Sequence, residues 1–114
     1  MPDIESLLVM PDMESLLAPG ITIVTPVANA TVAKKFSMNG SFSTTADPSI
    51  VTVKYQVVAQ GGPVDPTKWL PATISGTNWS ANARAAAGGR TIHVGLFESG
   101  SITASASVDI TVSP

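Results

Sequence analysis

The chain has 114 residues, a length suited to one domain, and 44% of them are hydrophobic while only 12% are charged, so a packed core is expected rather than disorder. Six Lys and Arg residues stand against eight Asp and Glu residues, and the absence of Cys excludes disulfides, thiolate metal sites and cysteine nucleophiles. With no basic cluster and no apolar run near the roughly 20 residues that span a bilayer, we expect no nucleic acid partner and no membrane insertion.

The first eighteen residues form a tandem repeat. Residues 1–9 (MPDIESLLV) are followed by residues 10–18 (MPDMESLLA), and seven of the nine positions are identical. In each copy the apolar residues recur at i, i+3 and i+4, which predicts one apolar face on a short helical turn. Because helices this short are marginal in water, we expect the turns to form only against a partner surface. The predicted partner-binding residues are Ile4, Leu7, Leu8, Met13, Leu16 and Leu17.

Charge separates this peptide from the rest of the chain. Residues 1–18 hold four carboxylates and no Lys or Arg, a net charge of −4, whereas the remaining six basic and four acidic residues give +2. The acidic start, interrupted by Pro11, lacks the features of a secretory signal, so we expect no export. Residues 18–20 (APG) end the pattern, and we predict an anchoring peptide with a hinge over 1–20 and a domain over 21–114. The alternative is that the repeat is a remnant of cloning or duplication and has no role.

From Ile21 onward, apolar and polar residues alternate with a period of two, which predicts strands with one wet face. The last run is the longest, with apolar residues from Ile102 to Val112 alternating with Ser, Thr and Asp. Seven strands are expected, around 21–25, 36–42, 51–57, 70–74, 79–83, 92–96 and 102–112. Gly, Asn, Asp and Pro between the runs are typical of antiparallel connections.

The absence of any long amphipathic helical pattern after residue 20 predicts an all-β domain. Seven short, regularly spaced strands favour a two-sheet sandwich, which buries two sheet faces against each other without helices. A closed barrel is the alternative. The early kink expected at Pro26, the long last strand and the length of residues 21–114 favour the sandwich.

Six segments of the predicted domain carry a familiar pattern. They are residues 21–26 (ITIVTP), 51–56 (VTVKYQ), 68–72 (KWLPA), 78–80 (NWS), 89–94 (GRTIHV) and 106–112 (ASVDITV). Together they resemble the immunoglobulin-like domains of bacterial surface proteins and of tailed-phage structural proteins. The resemblance covers residues 21–114 and implies a seven-stranded immunoglobulin-like β-sandwich, preceded here by the short N-terminal peptide. Antibody-like recognition is not implied, since the paired cysteines of antibody domains are absent.

A domain of this type without a signal sequence resembles, in architecture, the head-decoration proteins of phages, which join a capsid-binding segment to an exposed immunoglobulin-like domain. The resemblance implies a non-enzymatic virion structural protein, a capsid decoration protein made in the host cytoplasm and carried on the capsid surface. Its expected partners are the major capsid protein or a similar symmetric lattice, further copies of the chain in a homo-oligomer on the particle, and host surface glycans or proteins.

The sequence contains few candidates for catalytic, metal-binding or ligand-stacking residues. His93 is the only histidine, and the strand pattern turns it away from the apolar face of its strand toward solvent, so we expect no catalytic residue, no metal site and no cofactor. Trp69 and Trp79 are expected in the core because of their large apolar area, with a platform that stacks a ligand as the alternative. That alternative would make the protein a carbohydrate-binding or adhesion module of a bacterial surface protein.

Overall fold

The computed structural model describes residues 19–114, which form nine strands and one turn of 3₁₀-helix at Pro48–Ile50. Within this part of the chain, no helix has the length and apolar character needed to cross a membrane. The strands are β1 (Gly20–Thr25), β2 (Thr31–Val32), β3 (Lys35–Ser43), β4 (Val51–Ala59), β5 (Leu70–Pro71), β6 (Thr73–Ser75), β7 (Asn78–Arg84), β8 (Gly88–Glu98) and β9 (Ser101–Val112).

These strands pair into two sheets. The four-stranded sheet has the order β1-β3-β7-β6, and the five-stranded sheet has the order β2-β9-β8-β4-β5. Only β2 and β9 pair in parallel. An immunoglobulin sandwich places its first, second, fifth and fourth main strands in one sheet and the other three in the second, and this order matches it once β2 and β5 are counted as short edge strands. The predicted all-β immunoglobulin-like sandwich is confirmed.

The strand count differs from the predicted seven because of β2 and because the strand expected over 70–74 is two strands. β5 pairs with β4, whereas β6 pairs with β7 in the other sheet. The chain crosses between the sheets at Ala72, whose N–H donates to the Val53 carbonyl at 2.9 Å. Period-two alternation does not reveal such a crossing, because it has the same form in both sheets.

The core lies between the sheets and draws on both. Its largest fully buried side chains are Trp79, Met38, Ile92, Leu96, Ile110, Val53, Val94 and Val112. Nearly all occupy the apolar positions of the alternating runs, so the predicted inner faces of β3, β4, β7 and β8 are confirmed. Among residues 19–114, every buried side-chain nitrogen or oxygen has a hydrogen-bond partner.

A β-bulge between β8 and β9 reverses the predicted side of Ile102. Leu96 pairs with Ala104, but the next residue, Phe97, pairs with Ile102, so Thr103 is an extra residue in β9. A one-residue shift moves a side chain to the opposite face of a sheet. Ile102 therefore points outward and is 50% exposed, and its predicted inner position is wrong.

Candidate functional site

The six apolar residues predicted to bind a partner lie outside the residues that the structure describes. These residues are Ile4, Leu7, Leu8, Met13, Leu16 and Leu17. The described chain begins at Pro19 and enters β1 at Gly20, one residue before the predicted start of the domain. The partner-binding role of the repeat therefore stays a prediction.

Trp79 belongs to the core, as the sequence predicted. Its side chain is only 1% exposed, and its indole N–H donates to the Thr22 carbonyl at 2.9 Å. Gly40 makes this position available, because a Cβ there would lie 2.7 Å from the indole nitrogen and 1.9 Å from the Thr22 oxygen. A ring enclosed in this way presents no face to a ligand.

Trp69 lies outside the core, on the outer face of the five-stranded sheet, so its predicted core position is wrong. The side chain is half-buried and packs edge-on against Phe97, with ring centroids 5.2 Å apart and planes at 79°. The ammonium group of Lys54 lies 4.9 Å from the centre of the Phe97 ring. Through its contact with Phe97, Trp69 packs the end of the connection from β4 to β5 onto the outer face of the sheet.

That connection, residues 60–69, is named here the cover loop, because polar side chains of the sheet hold it against the outer face. Gln56 donates its amide N–H to the Asp65 carbonyl at 2.9 Å and accepts the Asp65 N–H at 2.8 Å. Thr91 accepts the N–H of Gly61 at 3.0 Å. Gln56 and Thr91 are 2% and 5% exposed, so the sheet is buried on both sides at these points.

His93 turns away from the core, as predicted, but it is half-buried under the cover loop rather than facing solvent. Its Nε2 lies 3.2 Å from the Gly62 carbonyl oxygen. Because a carbonyl only accepts, Nε2 carries the hydrogen, and in the neutral ring Nδ1 is left as an acceptor. The ring thus helps to hold the loop.

Between the cover loop and β9 lies a groove of about 490 Å³, named here the Trp69 groove. Its apolar walls include Val64 and Ile102, which are 41% and 50% exposed. The full lining is Val64, Trp69, His93, Ile102, Ser105, Ala106 and Ser107. The groove contains no Asp, Glu, Lys or Arg, so it suits an uncharged ligand better than an ion.

A larger cavity of about 580 Å³ opens beside the edges of β4 and β7. It is charged, in contrast to the Trp69 groove, with Asp65, Lys68 and Arg84 in its lining. Leu70, 52% exposed, supplies an apolar surface next to them. Arg84 stands between this cavity and the outer face of the four-stranded sheet, which it also helps to form.

Two aspartate side chains accept hydrogen bonds from residues of their own loops. Hydrogen bonds from the Thr67 hydroxyl and then from its N–H lower the pKa of Asp65 below its ordinary value of 3.8. The backbone N–H of Ser49 does the same for Asp47 at the start of the 3₁₀ turn. Neither carboxylate joins a cluster, and among residues 19–114 no three His, Cys, Asp or Glu side chains come together as metal ligands.

Sequence reasoning missed Gln56, Asp65 and Thr91. The Asp-Pro-Thr triplet at 65–67 was a local signal, since Asp often accepts a hydrogen bond from the residue two positions later. Gln56 carried no signal, because an outward polar residue on a strand is ordinarily solvated. Its role depends on the path of a loop that the strand pattern does not specify.

The fold is shared with a known structure. Neither a protein-family model nor a curated protein matches the sequence. The crystal structure of CopC from Methylosinus trichosporium OB3b matches with a TM-score of 0.54 and 15% identity, over 84% of this chain and 94% of that chain. At this identity the likeness shows the sandwich fold alone, and no activity or ligand is transferred from it.

Proposed function

We propose that the protein is a non-enzymatic capsid decoration protein. Residues 1–18 dock on a capsid lattice, and the immunoglobulin-like domain of residues 19–114, named here the body, projects from the virion surface. The proposal combines the acidic repeat with its Leu-Leu pairs and an attached sandwich that has its own core. Virion location, assembly in the host cytoplasm and the capsid partner are parts of this proposal.

The strongest support for the proposal is that the body has a core of its own. Residues 19–114 pack two sheets around one core and leave no buried side-chain nitrogen or oxygen without a partner. We therefore expect the body to fold without the repeat, which leaves the apolar face of the repeat for a foreign surface.

The free energies of burial and of backbone ordering give a physical reason for two copies of the peptide. Burying three large apolar side chains contributes on the order of 5–8 kcal/mol, while ordering eight backbone residues costs about 8–16 kcal/mol. One copy alone binds weakly on these figures. Two linked copies gain from effective concentration, and a nine-residue offset reaches at most about 30 Å, which adjacent capsid subunits satisfy.

A carbohydrate-binding or adhesion module is the second candidate, and one observation favours it. Of the two tryptophans proposed as stacking platforms, Trp69 borders an uncharged surface groove, whereas Trp79 is enclosed. Stacking would then use Trp69 alone, with the free hydroxyls of Ser105 and Ser107 as hydrogen-bond partners.

Removing residues 1–18 tests the anchor. We expect the shortened chain to unfold cooperatively by circular dichroism, yet to stay in the supernatant when virions are pelleted. Mass spectrometry of purified virions should find the intact chain as a stoichiometric component. Particle binding that survives the deletion would remove the anchor from the proposal.

Paired substitutions separate apolar docking from charge. Leu7→Asp with Leu16→Asp places a carboxylate on the predicted apolar face of each copy and should abolish particle binding. Ser6→Asp with Ser15→Asp adds the same charge beside that face and should leave most binding intact. Equal losses in the two variants would indicate that charge, rather than leucine burial, controls docking.

A further inference from the structure

The outer face of the four-stranded sheet, named here the polar face, is built from small polar side chains. The strands β1, β3, β6 and β7 contain no Asp or Glu. Outward positions of β3 and β7 pair as Ser41 with Asn78, Asn39 with Ser80, Ser37 with Asn82, and Lys35 with Arg84. The last pair brings the only two charges of these four strands together at one end.

The positive charges of Lys35 and Arg84 repel each other and destabilise the folded sheet. They stand directly opposite on neighbouring strands, where like charges destabilise a sheet. Lys34 precedes Lys35 in the chain, and its carbonyl accepts the N–H of Ala85 at 2.9 Å, so its backbone lies at this end of the sheet. Among residues 19–114, none of the three forms an ion pair with a carboxylate. An external anion placed between Lys35 and Arg84 would relieve this repulsion.

Hydrogen-bonding groups continue from the cations along the sheet. A groove of about 480 Å³ contains Lys35, Arg84, Ser37 and Asn82 in its lining. The Ser37 hydroxyl donates to Asn82 Oδ1 at 3.0 Å, which leaves both amide hydrogens of Asn82 for a ligand. Asn39 and Ser80 form the next row. The apolar Val24, 58% exposed, lines a separate groove of about 460 Å³ with Ser41 and Asn78, farther along the sheet from the two cations.

The cationic end of β3 lies opposite to the end where the described chain begins. Gly20, where the described chain enters β1, pairs with Ser43 at the opposite end of β3. Lys35 precedes Ser43 by eight residues, which corresponds to about 27 Å along the strand. A domain held at Gly20 would therefore direct the Lys35 end of β3 away from the point of attachment.

We infer that the Lys35–Arg84 end of the polar face binds an acidic sugar. The anionic group lies between the two cations, with Arg84 able to donate two parallel hydrogen bonds, and sugar hydroxyls bond to Asn82, Ser37 and Asn39. Two neighbouring cations are too few for the counterion release that drives binding of nucleic acid backbones. The inference goes beyond the proposed function and does not depend on the capsid anchor.

An NMR titration of the ¹⁵N-labelled full chain with galacturonic acid tests this site. The side-chain amide signals of Asn82 and Asn39 and the Arg84 Nε–H signal should shift, while the buried Trp79 indole signal stays in place. Glucose supplies the hydroxyls without the anion, and acetate supplies the anion without the hydroxyls. Both should bind at least about tenfold more weakly, as expected when charge-assisted or neighbouring hydrogen bonds are removed.

Glucose 6-phosphate distinguishes the kind of anion. Binding of either acidic sugar above both controls supports the site, and their ratio tells whether carboxylate or phosphate is preferred. Acetate binding as tightly as galacturonic acid would mean an adventitious ion only and would overturn the inference. Tighter binding of a synthetic peptide of residues 1–9 with the same shifts would assign the site to the acidic repeat instead.

Matched variants locate the site. Lys35→Gln and Arg84→Gln should each weaken galacturonic acid binding at least about tenfold, the loss expected for one charge-assisted hydrogen bond. Lys54→Gln removes the same charge from the other sheet and should leave binding unchanged. Because Lys35 and Arg84 are exposed, the variants should keep the wild-type amide spectrum elsewhere. Unchanged affinity in both polar-face variants would refute the assignment.

Discussion

The outer face of the four-stranded sheet is bare, whereas the outer face of the five-stranded sheet lies under the cover loop. On the bare face, side chains such as Ser37, Asn39 and Asn82 are exposed. On the covered face, Gln56, Thr91 and Phe97 are buried at 2%, 5% and 7% exposure. One sheet is stabilised from its inner side alone, while the other is stabilised from both.

This difference has a functional side. Loss of an exposed hydroxyl on the bare face changes little in the fold, so that face is free to present polar groups to a ligand. On the covered face, His93 both lines the Trp69 groove and contacts the cover loop, so binding and stability are coupled there.

The largest effect is expected at Gly40, on the inner side of the four-stranded sheet. A Cβ there would lie 1.9 Å from the Thr22 oxygen, so Gly40→Ala forces the backbone apart and should cost more than about 3 kcal/mol of unfolding free energy. Gly20→Ala is the matched control, since its Cβ would meet only the Ser43 hydroxyl at 3.4 Å. Chemical denaturation measures both, and similar costs in the two variants would contradict the packing explanation.

The next effect is expected at Gln56, on the covered face. Gln56→Leu leaves the Asp65 N–H unpaired and removes one of the two donors to the Asp65 carbonyl, which keeps the Lys68 N–H, and it should cost about 1–3 kcal/mol. Hydrogen exchange should accelerate at cover-loop amides and remain slow in β3 and β7. The exposed Gln60→Leu serves as the control. Unchanged loop exchange in Gln56→Leu would show that the loop is held by other contacts.

The two tryptophans report the two environments separately. Trp69→Phe leaves only Trp79, whose fluorescence should be strongly protected from acrylamide because the ring is 1% exposed. Trp79→Phe leaves only Trp69, which should be quenched severalfold more efficiently at the groove. Equal, strong protection of both indoles would argue against a stacking role for Trp69 as well as for Trp79.

The smallest effect is expected on the folding stability at low pH. Since the folded pKa of Asp65 lies below 3.8, its stabilising contribution is present above the unfolded pKa and is lost as pH falls through the folded value. Asp65→Asn should therefore flatten the loss of stability below about pH 4. Asp47→Asn should produce a similar flattening without changing amide exchange in the cover loop. A steeper acid loss in Asp65→Asn would reverse the assigned sign.

The sequence predicted the body better than its surface. Alternation located the inner faces of β3, β7 and β8, because a half-buried strand imposes a period of two. It failed at Ile102, where a bulge next to the short β8–β9 turn changes the register. The expectation from apolar area failed at Trp69, which packs outside the core on Phe97, 28 positions away. Likewise, nothing local shows that Lys35 and Arg84 are neighbours, since 49 positions separate them and only the β3–β7 register brings them together.

The placement of β1 beside β3 determines how the molecule would carry force. Tension between the N-terminal attachment and a ligand held at Lys35 pulls the two antiparallel strands past each other lengthwise. Their inter-strand hydrogen bonds lie across that direction and are loaded together rather than one after another. If the proposed capsid role and the proposed sugar site are both correct, the domain would be loaded in shear, the geometry in which paired strands resist pulling most strongly.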